Sequence, residues 1–181
     1  MAEILLSSET FIKSVTNISD NVSGKYILTS LREAQEVGLK GIVGETMLEK
    51  LKDLVEKGKI DDHDNLKYKY LLNKCQYYLA YMTIVELIYK VSYKIGNAGL
   101  VKTADDNLQV ASLDEMIAQK EYYQGKADFH CMEVQNYVLD NLADLPEIDD
   151  CTCRKIHANL YSAATCGFFL GGARGKWRRK S

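Results

Sequence analysis

Apolar residues recur at helical spacing along most of this chain, and the pattern divides it into short and long helical segments. The N-terminal third predicts three short amphipathic helices: residues 8–17, residues 23 or 24 to Gly38 or Gly41, and residues from Gly44 to Gly58. The first follows a cap-like cluster of serine, glutamate and threonine, and a glycine stops the last. The stretch between the first two helices is predicted to be a loop.

The middle of the chain predicts two long helices that form the scaffold of the fold. The first begins at the acidic residues 61–64 and extends to about Ile95, with two adjacent apolar stripes that make one wide buried face. The second begins at Ser112, which precedes Glu115 by the spacing of a capping box, and ends near Leu142. We therefore predict a mainly α fold: a helical bundle built on two long antiparallel helices, with shorter N-terminal helices.

Little in the sequence predicts a sheet. Short strands fit only Ile42-Val43 or Leu100-Val101, and residues 100–111 are predicted to be a loop or an irregular hairpin. Pro146 blocks the second long helix from continuing, and a short helix fits residues 153–165. We predict two parts: a helical bundle domain, residues 1–150, and a C-terminal segment with an extended basic docking tail, residues 151–181.

Charge is distributed unevenly along the chain, although the net charge is only −2. Residues 1–60 hold eight basic and nine acidic side chains, and residues 61–150 hold eight and sixteen. Residues 151–181 hold seven basic side chains and no acidic one. Such asymmetry is typical of a tail that binds something acidic, and the partner is another copy's acidic middle, a different protein or nucleic acid.

The basic tail is the segment that bears most directly on function. Its predicted interaction residues are Phe168, Phe169, Leu170, Arg174, Lys176, Trp177, Arg178, Arg179 and Lys180. They fit three interpretations: contact with phosphates beside a stacking tryptophan, docking into an acidic groove of a neighbouring protein, or a solvated tail that keeps the chain soluble. The apolar triplet 168–170 favours docking, because a solvated tail gains nothing from three large apolar side chains.

Candidate catalytic and metal-binding motifs are weak. Cys151 and Cys153 with His157 are ligand-like, but structural zinc sites use wider cysteine pairs, so we predict no metal and no cofactor. Nucleophile-elbow, phosphate-loop and zinc-protease motifs do not occur, and we predict that the protein is not an enzyme. Three carboxylate pairs are explained as solvated helix or turn caps: Asp61-Asp62, Asp105-Asp106 and Asp149-Asp150.

Membrane insertion and secretion are not predicted. The densest apolar stretch, residues 75–95, is interrupted by Glu86, Lys90 and Lys94, whereas a span needs about 20 nearly uninterrupted apolar residues. The first residues lack the basic and apolar regions of a secretion signal. Five cysteines, an odd number, fit a reducing compartment better than a disulfide framework.

One part of the chain resembles a known family. Leu79-Ala80-Tyr81, then Glu86-Leu87, then the run from Lys94 through Gly96-Asn97-Ala98-Gly99 to Val101, resemble the head–tail connector proteins of tailed bacteriophages, also called adaptor, neck or head-completion proteins. The similarity is strongest to versions in phages of gut Bacteroidales, including crAss-like phages. It covers roughly residues 40–145, and more weakly the glycine-rich start of the tail.

The resemblance implies a structural virion protein. In that family, copies assemble as a ring, commonly of twelve, beneath the portal protein and above tail or further neck proteins, and DNA passes through the lumen without sequence-specific contact. It also implies synthesis in the bacterial cytoplasm and no catalytic residues. The residues themselves leave an alternative open, a cytosolic helical adaptor or nucleic-acid-binding module that uses the basic tail, whose affinity for DNA or RNA would fall steeply with salt.

Overall fold

The computed structural model describes residues 4–96, 99–102 and 112–166, with only the backbone described for 93–96, 99–102 and 159–166. Its elements in chain order are α1 (Glu9–Val15), α2 (Gly24–Glu33), a π-helical segment (Ala34–Leu39), α3 (Lys40–Val43), α4 (Glu45–Glu56), a 3₁₀ turn (His63–Asn65), α5 (Leu66–Ser92), β1 (Tyr93–Gly96), β2 (Gly99–Lys102), α6 (Leu113–Asp140), a second 3₁₀ turn (Leu142–Asp144) and α7 (Asp150–Cys166).

The two long helices, α5 and α6, pack antiparallel along most of their length. At one end Lys67 donates a hydrogen bond to Asn141 (2.6 Å), and at the other Lys120 lies over the Tyr89 ring. The buried side of α5 is wide, as predicted, and its fully buried side chains include Leu71, Cys75 and Leu79. The predicted mainly α bundle on two long antiparallel helices, with shorter N-terminal helices, is confirmed. Its predicted tail lies outside the described residues.

The predicted helix starts are confirmed by their caps. The Ser8 hydroxyl accepts a hydrogen bond from the Phe11 amide at 3.1 Å and caps α1. Ser112 and Glu115 form the reciprocal capping box, in which each side chain accepts a hydrogen bond from the other residue's backbone amide. These local signals place both helices because a cap satisfies amides that have no partner inside the helix.

The end of α5 differs from the prediction. The helix stops at Ser92 rather than near Ile95, and the chain continues as β1, which pairs antiparallel with β2 in a register that places Gly96 opposite Gly99. The predicted strand at Leu100-Val101 is therefore confirmed, whereas Ile42-Val43 lies in α3. The hairpin gives the backbone groups after Ser92 partners that a longer helix would otherwise supply.

The second predicted helix also ends later than expected. It passes through the π-helical segment and ends at Val43, so neither Gly38 nor Gly41 stops it. Gly38 instead allows the Tyr78 side chain to lie close to the helix backbone, because a Cβ at this position would overlap the Tyr78 hydroxyl. The stop is Gly44, whose φ of +84° is readily adopted only by glycine.

Gln35, in the π-helical segment, binds the N-terminal residues to the bundle. Its amide oxygen accepts a hydrogen bond from the Leu6 amide at 2.8 Å, and its amide nitrogen donates to the Ile4 carbonyl at 2.9 Å. Gln76 on α5 donates to the Leu6 carbonyl at 2.9 Å. The Gln35 side chain is fully buried, so these bonds are shielded from water and expensive to break.

We expect Gln35→Ala to lower the free energy of unfolding by about 2 kcal/mol, because it leaves the buried Leu6 amide without an acceptor and opens a small cavity. Urea unfolding measures the change. The control is Val37→Ala in the same segment, where the side chain is 78% exposed and the expected change is under about 0.5 kcal/mol. Equal urea midpoints for the two variants would show that the hydrogen bonds of Gln35 to Ile4 and Leu6 do not stabilise the fold.

The C-terminal helix α7 packs against the bundle through its first two turns. Ile156 is 1% exposed within the main core, and Thr152 is buried beside Gly44. The carboxylate of Asp149 accepts a hydrogen bond from the Thr152 amide at 2.6 Å, which confirms the predicted capping role of that pair. The predicted division of the chain after residue 150 stays a prediction.

Candidate functional site

The nine predicted interaction residues all lie outside the described residues: Phe168, Phe169, Leu170, Arg174, Lys176, Trp177, Arg178, Arg179 and Lys180. What the structure describes is the bundle, whose surfaces are candidates for binding such a tail. Two surfaces of the described bundle stand out, an exposed apolar stripe and an open groove. Both involve α6.

The outer face of α6, opposite the core, presents an apolar stripe that we call the α6 stripe. Its members step by four and three residues and are all exposed: Ala118, Tyr122, Gly125, Phe129 and Met132. Tyr122 is 56% and Phe129 54% exposed. This spacing is that of the a and d positions of a heptad, the pattern that packs one helix against a partner.

Carboxylates surround the α6 stripe. Helix α6 contains six acidic residues and two lysines. Among the described residues, five of the six form no salt bridge: Asp114, Glu115, Glu121, Asp128 and Asp140. Both lysines lie over aromatic rings, Lys120 over Tyr89 at 5.0 Å and Lys126 over Tyr122 at 4.6 Å. The surface is therefore apolar and acidic, which suits a basic partner with aromatic side chains.

An aromatic cluster next to the stripe joins α1, α5 and α6. The His130 ring stacks between Tyr77 and Tyr81, with ring centroids 5.4 and 5.2 Å away. Phe11 of α1 meets the Tyr77 ring edge-on at 5.4 Å. Phe129 of the stripe also meets the His130 ring edge-on. The cluster thus fixes the orientation of the stripe relative to the long helix α5.

His130 makes the bundle sensitive to mild acid. Burial lowers the pKa of His130 below its ordinary value of 6.5, so the unfolded chain takes up a proton there before the folded chain does. The neutral His130 ring contributes its full share of stability at pH values above 6.5, and this share is lost as the pH falls through the lower pKa of the folded chain. We expect His130→Phe, which keeps a stacking ring, to lose less stability than the parent chain between about pH 7.5 and about pH 5.5. Urea unfolding at both pH values measures this, and equal losses would contradict it.

An open apolar groove of about 330 Å³ lies where the loop after α1 meets the last turns of α5 and the first turns of α6. We call it the α5–α6 groove. Its apolar lining includes Ile18, Val22, Leu87, Ile88, Val91 and Met116, and Glu115 is the one charged side chain that the described residues contribute to it. Neither the groove nor the α6 stripe was predicted from the sequence. The groove forms only where three segments that are distant in the sequence meet.

The ligand-like residues Cys151, Cys153 and His157 form no metal-binding group in the described part of the chain. Cys151 and His157 are exposed on α7, and Cys153 is half-buried. No group of three or more His, Cys, Asp or Glu side chains within the described ranges is placed to hold a metal ion. No helix among the described residues is both long and apolar enough to cross a bilayer.

Comparison with known proteins gives one match. Residues 39–158 match the model of a family described as of unknown function, DUF6712. The matched range runs from the end of the π-helical segment into α7, and it includes the α6 stripe and the helical walls of the groove. No curated protein and no solved structure matches the chain.

Proposed function

Since this chain belongs to a family of unknown function, DUF6712, its role has to be inferred from its own residues, and we propose that it is a structural virion protein of a tailed bacteriophage. In this proposal the chain is made in the bacterial cytoplasm and assembles as a ring that joins the portal to the tail or to further neck proteins. The ring extends the DNA channel, and its role is architectural rather than catalytic.

The observation that most supports assembly is the α6 stripe. Five apolar or small residues at heptad spacing stand in solvent on the face of α6 that points away from the core. A contiguous exposed apolar surface such as the α6 stripe is typical of a site that becomes buried in a complex. Two of its members, Tyr122 and Phe129, are more than half exposed, and aromatic side chains are enriched at the buried centre of interfaces.

The distribution of charge supports a repeating contact. The described surface of α6 has a surplus of carboxylates, and the segment 151–181 has seven basic residues and no acidic one. One chain thus has both halves of a head-to-tail pair. Contacts of this kind between identical subunits close into a ring when the rotation between neighbours closes. The acidic and basic halves then favour correct encounter between copies.

The resemblance to head–tail connectors supports the identity of the ring. The similar residues span the second half of α5 and the hairpin after it, where the structure has a long helix, then β1 and β2. The family resemblance implies a long tyrosine-rich helix, a turn and a second long helix, and α5, the hairpin and α6 follow that order. One of those residues, Leu87, also lines the α5–α6 groove.

The test is the mass of the purified full-length chain in solution, measured by light scattering alone and with the portal ring of the same phage. We expect either a self-assembled ring or a monomer that joins the portal in one fixed multiple. A chain that stays monomeric and passes the portal without binding would overturn the proposal.

A nucleic-acid-binding module is the second candidate, because the basic tail surrounds Trp177 with five cations. Binding through the tail predicts an affinity for single-stranded or double-stranded DNA that falls steeply as salt is raised. The unpaired carboxylates of α6 disfavour a broader DNA-binding surface, because they repel phosphates. Fluorescence anisotropy with labelled DNA at two salt concentrations separates this candidate from the connector.

A further inference from the structure

We propose that the α5–α6 groove is the binding site for the apolar triplet Phe168-Phe169-Leu170 of a neighbouring copy of this chain. The inference rests on the proposed function, because it names the segment and the site that join adjacent subunits. Three features of the chain support it: the shape of the groove, its charge and the composition of the tail.

The groove suits large apolar side chains of a peptide. Four residues of α5 at helical spacing form one wall, Ile84, Leu87, Ile88 and Val91, and Met116 and Tyr123 of α6 face them. A volume of about 330 Å³ lies at the lower end of the range for ligand sites, which leaves room for a few side chains and little more. Val91 is 40% exposed, so this wall is open to a partner.

Charge favours the C-terminal segment over other parts of the chain. Within the described ranges Glu115 is the one charged side chain of the lining, and neither Glu115 nor the adjacent Asp114 forms a salt bridge there. The triplet belongs to a segment with seven basic and no acidic residues. Residues 103–111, which precede α6, contain two aspartates and no cation. Their large apolar residues are Leu108 and Val110 only.

The proposed ring favours a neighbour as the donor of the triplet, because each copy in it has to contact the next one. Helix α7 begins at the end of α5 opposite the groove: Thr152 in its first turn lies beside Gly44, and Glu147 just before it accepts a hydrogen bond from Tyr68 at the start of α5. The groove lies about 30 Å from that point along α5 at 1.5 Å per residue, and α7 is 17 residues long. Donation of the triplet between copies is therefore tested separately from occupancy of the groove.

The first experiment measures binding of a labelled synthetic peptide of residues 165–181. The receptor is the full-length chain in which Phe168, Phe169 and Leu170 are replaced by serine, so that its own triplet cannot compete. We expect saturable binding that Val91→Lys weakens at least tenfold, because it removes an apolar contact and adds a like charge. The matched control is Leu28→Lys on α2, where the parent side chain is also 40% exposed, and it should leave binding unchanged.

Two results would overturn the assignment of the groove. One is equal binding to the Val91→Lys and Leu28→Lys receptors. The other is equal binding of a peptide in which serine replaces Phe168, Phe169 and Leu170, which would show that the contact depends on charge alone. Circular dichroism of both receptors checks that the lysines leave the bundle folded.

The second experiment tests the neighbour. The Val91→Lys chain has a blocked groove and an intact tail, and the triple-serine chain has the reverse. We expect each alone to be monomeric and an equimolar mixture to form a dimer that grows no further, because only one tail and one groove remain competent. A mixture that stays monomeric would overturn donation between copies.

The two proposals fail separately. Peptide binding that depends on Val91, together with a parent chain that ignores the portal, would retain the groove and remove the connector. Rings or portal complexes that form normally with Val91→Lys would retain the connector and remove the groove.

Discussion

Phe129→Asp should prevent assembly of the full-length chain while the bundle stays folded. Phe129 is 54% exposed at the centre of the α6 stripe, so a carboxylate there remains in water in the single chain. Its effect on folding should stay within about 1.5 kcal/mol, because it removes the edge-on contact with the His130 ring. In an assembly that buries the stripe, the same carboxylate would lose its hydration without a partner, which costs several kcal/mol. We expect the association constant to fall at least about a hundredfold, measured by light scattering.

The control for this prediction is Val37→Asp. Val37 is 78% exposed and lies in the π-helical segment rather than on α6, so the same new charge should leave assembly unchanged. Rings that form equally well with Phe129→Asp would show that the stripe faces solvent in the virion as well. In that case the interface between copies would lie on another surface of the same fold.

Gly125 provides a second and opposite test of the stripe. A Cβ at Gly125 would meet no atom within 4 Å in the single chain, and alanine is a better helix former by about 0.5–1 kcal/mol. Gly125→Ala should therefore stabilise the monomer. If a partner helix approaches closely at this point, the added methyl weakens assembly at the same time. A variant that unfolds later and assembles as well as the parent would exclude close packing at this position.

Local signals in the sequence were enough to predict the bundle. The serine caps at Ser8 and Ser112 and the apolar spacing of α5 and α6 depend on residues a few positions apart, and each indicates the same element. The α6 stripe was missed for a simple reason. Once one face of a helix is assigned to the core, a second apolar stripe on the opposite face has to be sought by its own spacing.

The end of α5 could not be predicted from the helical pattern. Ile95 continues the apolar spacing of the helix, yet it belongs to β1. What decides the outcome is the pairing of residues 93–96 with residues 99–102, and the gain from pairing depends on both segments at once. The groove poses the same difficulty at a larger scale, because its loop wall and its α6 wall are about a hundred residues apart in sequence.

Tyrosine occurs both in the core and on the exposed surface of the bundle. Tyr78 is buried in the core, where burial raises its pKa well above the ordinary value. Tyr122 is exposed in the α6 stripe, and Tyr70 is exposed on α5. A count of tyrosines could not separate core from surface, because the same side chain has an apolar ring and a polar tip.

Three glycines spaced three residues apart show most clearly what sequence reasoning lacked. The sequence predicts Gly38 or Gly41 as the stop of the second helix and Gly44 as the start of the third, and the surroundings of the three glycines differ. Gly38 permits contact with Tyr78, Gly41 faces open space, and only Gly44 has a positive φ. Gly44 also touches α7, because a Cβ there would stand 2.7 Å from the Thr152 hydroxyl.

We expect Gly44→Ala to lower the free energy of unfolding by about 3 kcal/mol. Its backbone angles, φ 84° and ψ 163°, lie in a region that is essentially restricted to glycine, where another residue costs about 1–3 kcal/mol. Displacement of the buried Thr152 adds an overpacking cost of about 1–3 kcal/mol. Gly41→Ala should do the reverse and stabilise the chain by about 0.5–1 kcal/mol, because it adds a good helix former in open space.

Urea unfolding of the two variants measures both signs of the effect. Adding Thr152→Ala to Gly44→Ala separates the two costs, since removal of the hydroxyl relieves the overlap but not the backbone strain. The double variant should therefore lose less stability than the sum of the single variants, because residues in contact are not additive. If Gly44→Ala unfolds at the same urea concentration as the parent, the junction of α3, α4 and α7 is looser than the structure indicates. In that case the contact between Gly44 and Thr152 would not hold the first turn of α7 against the bundle.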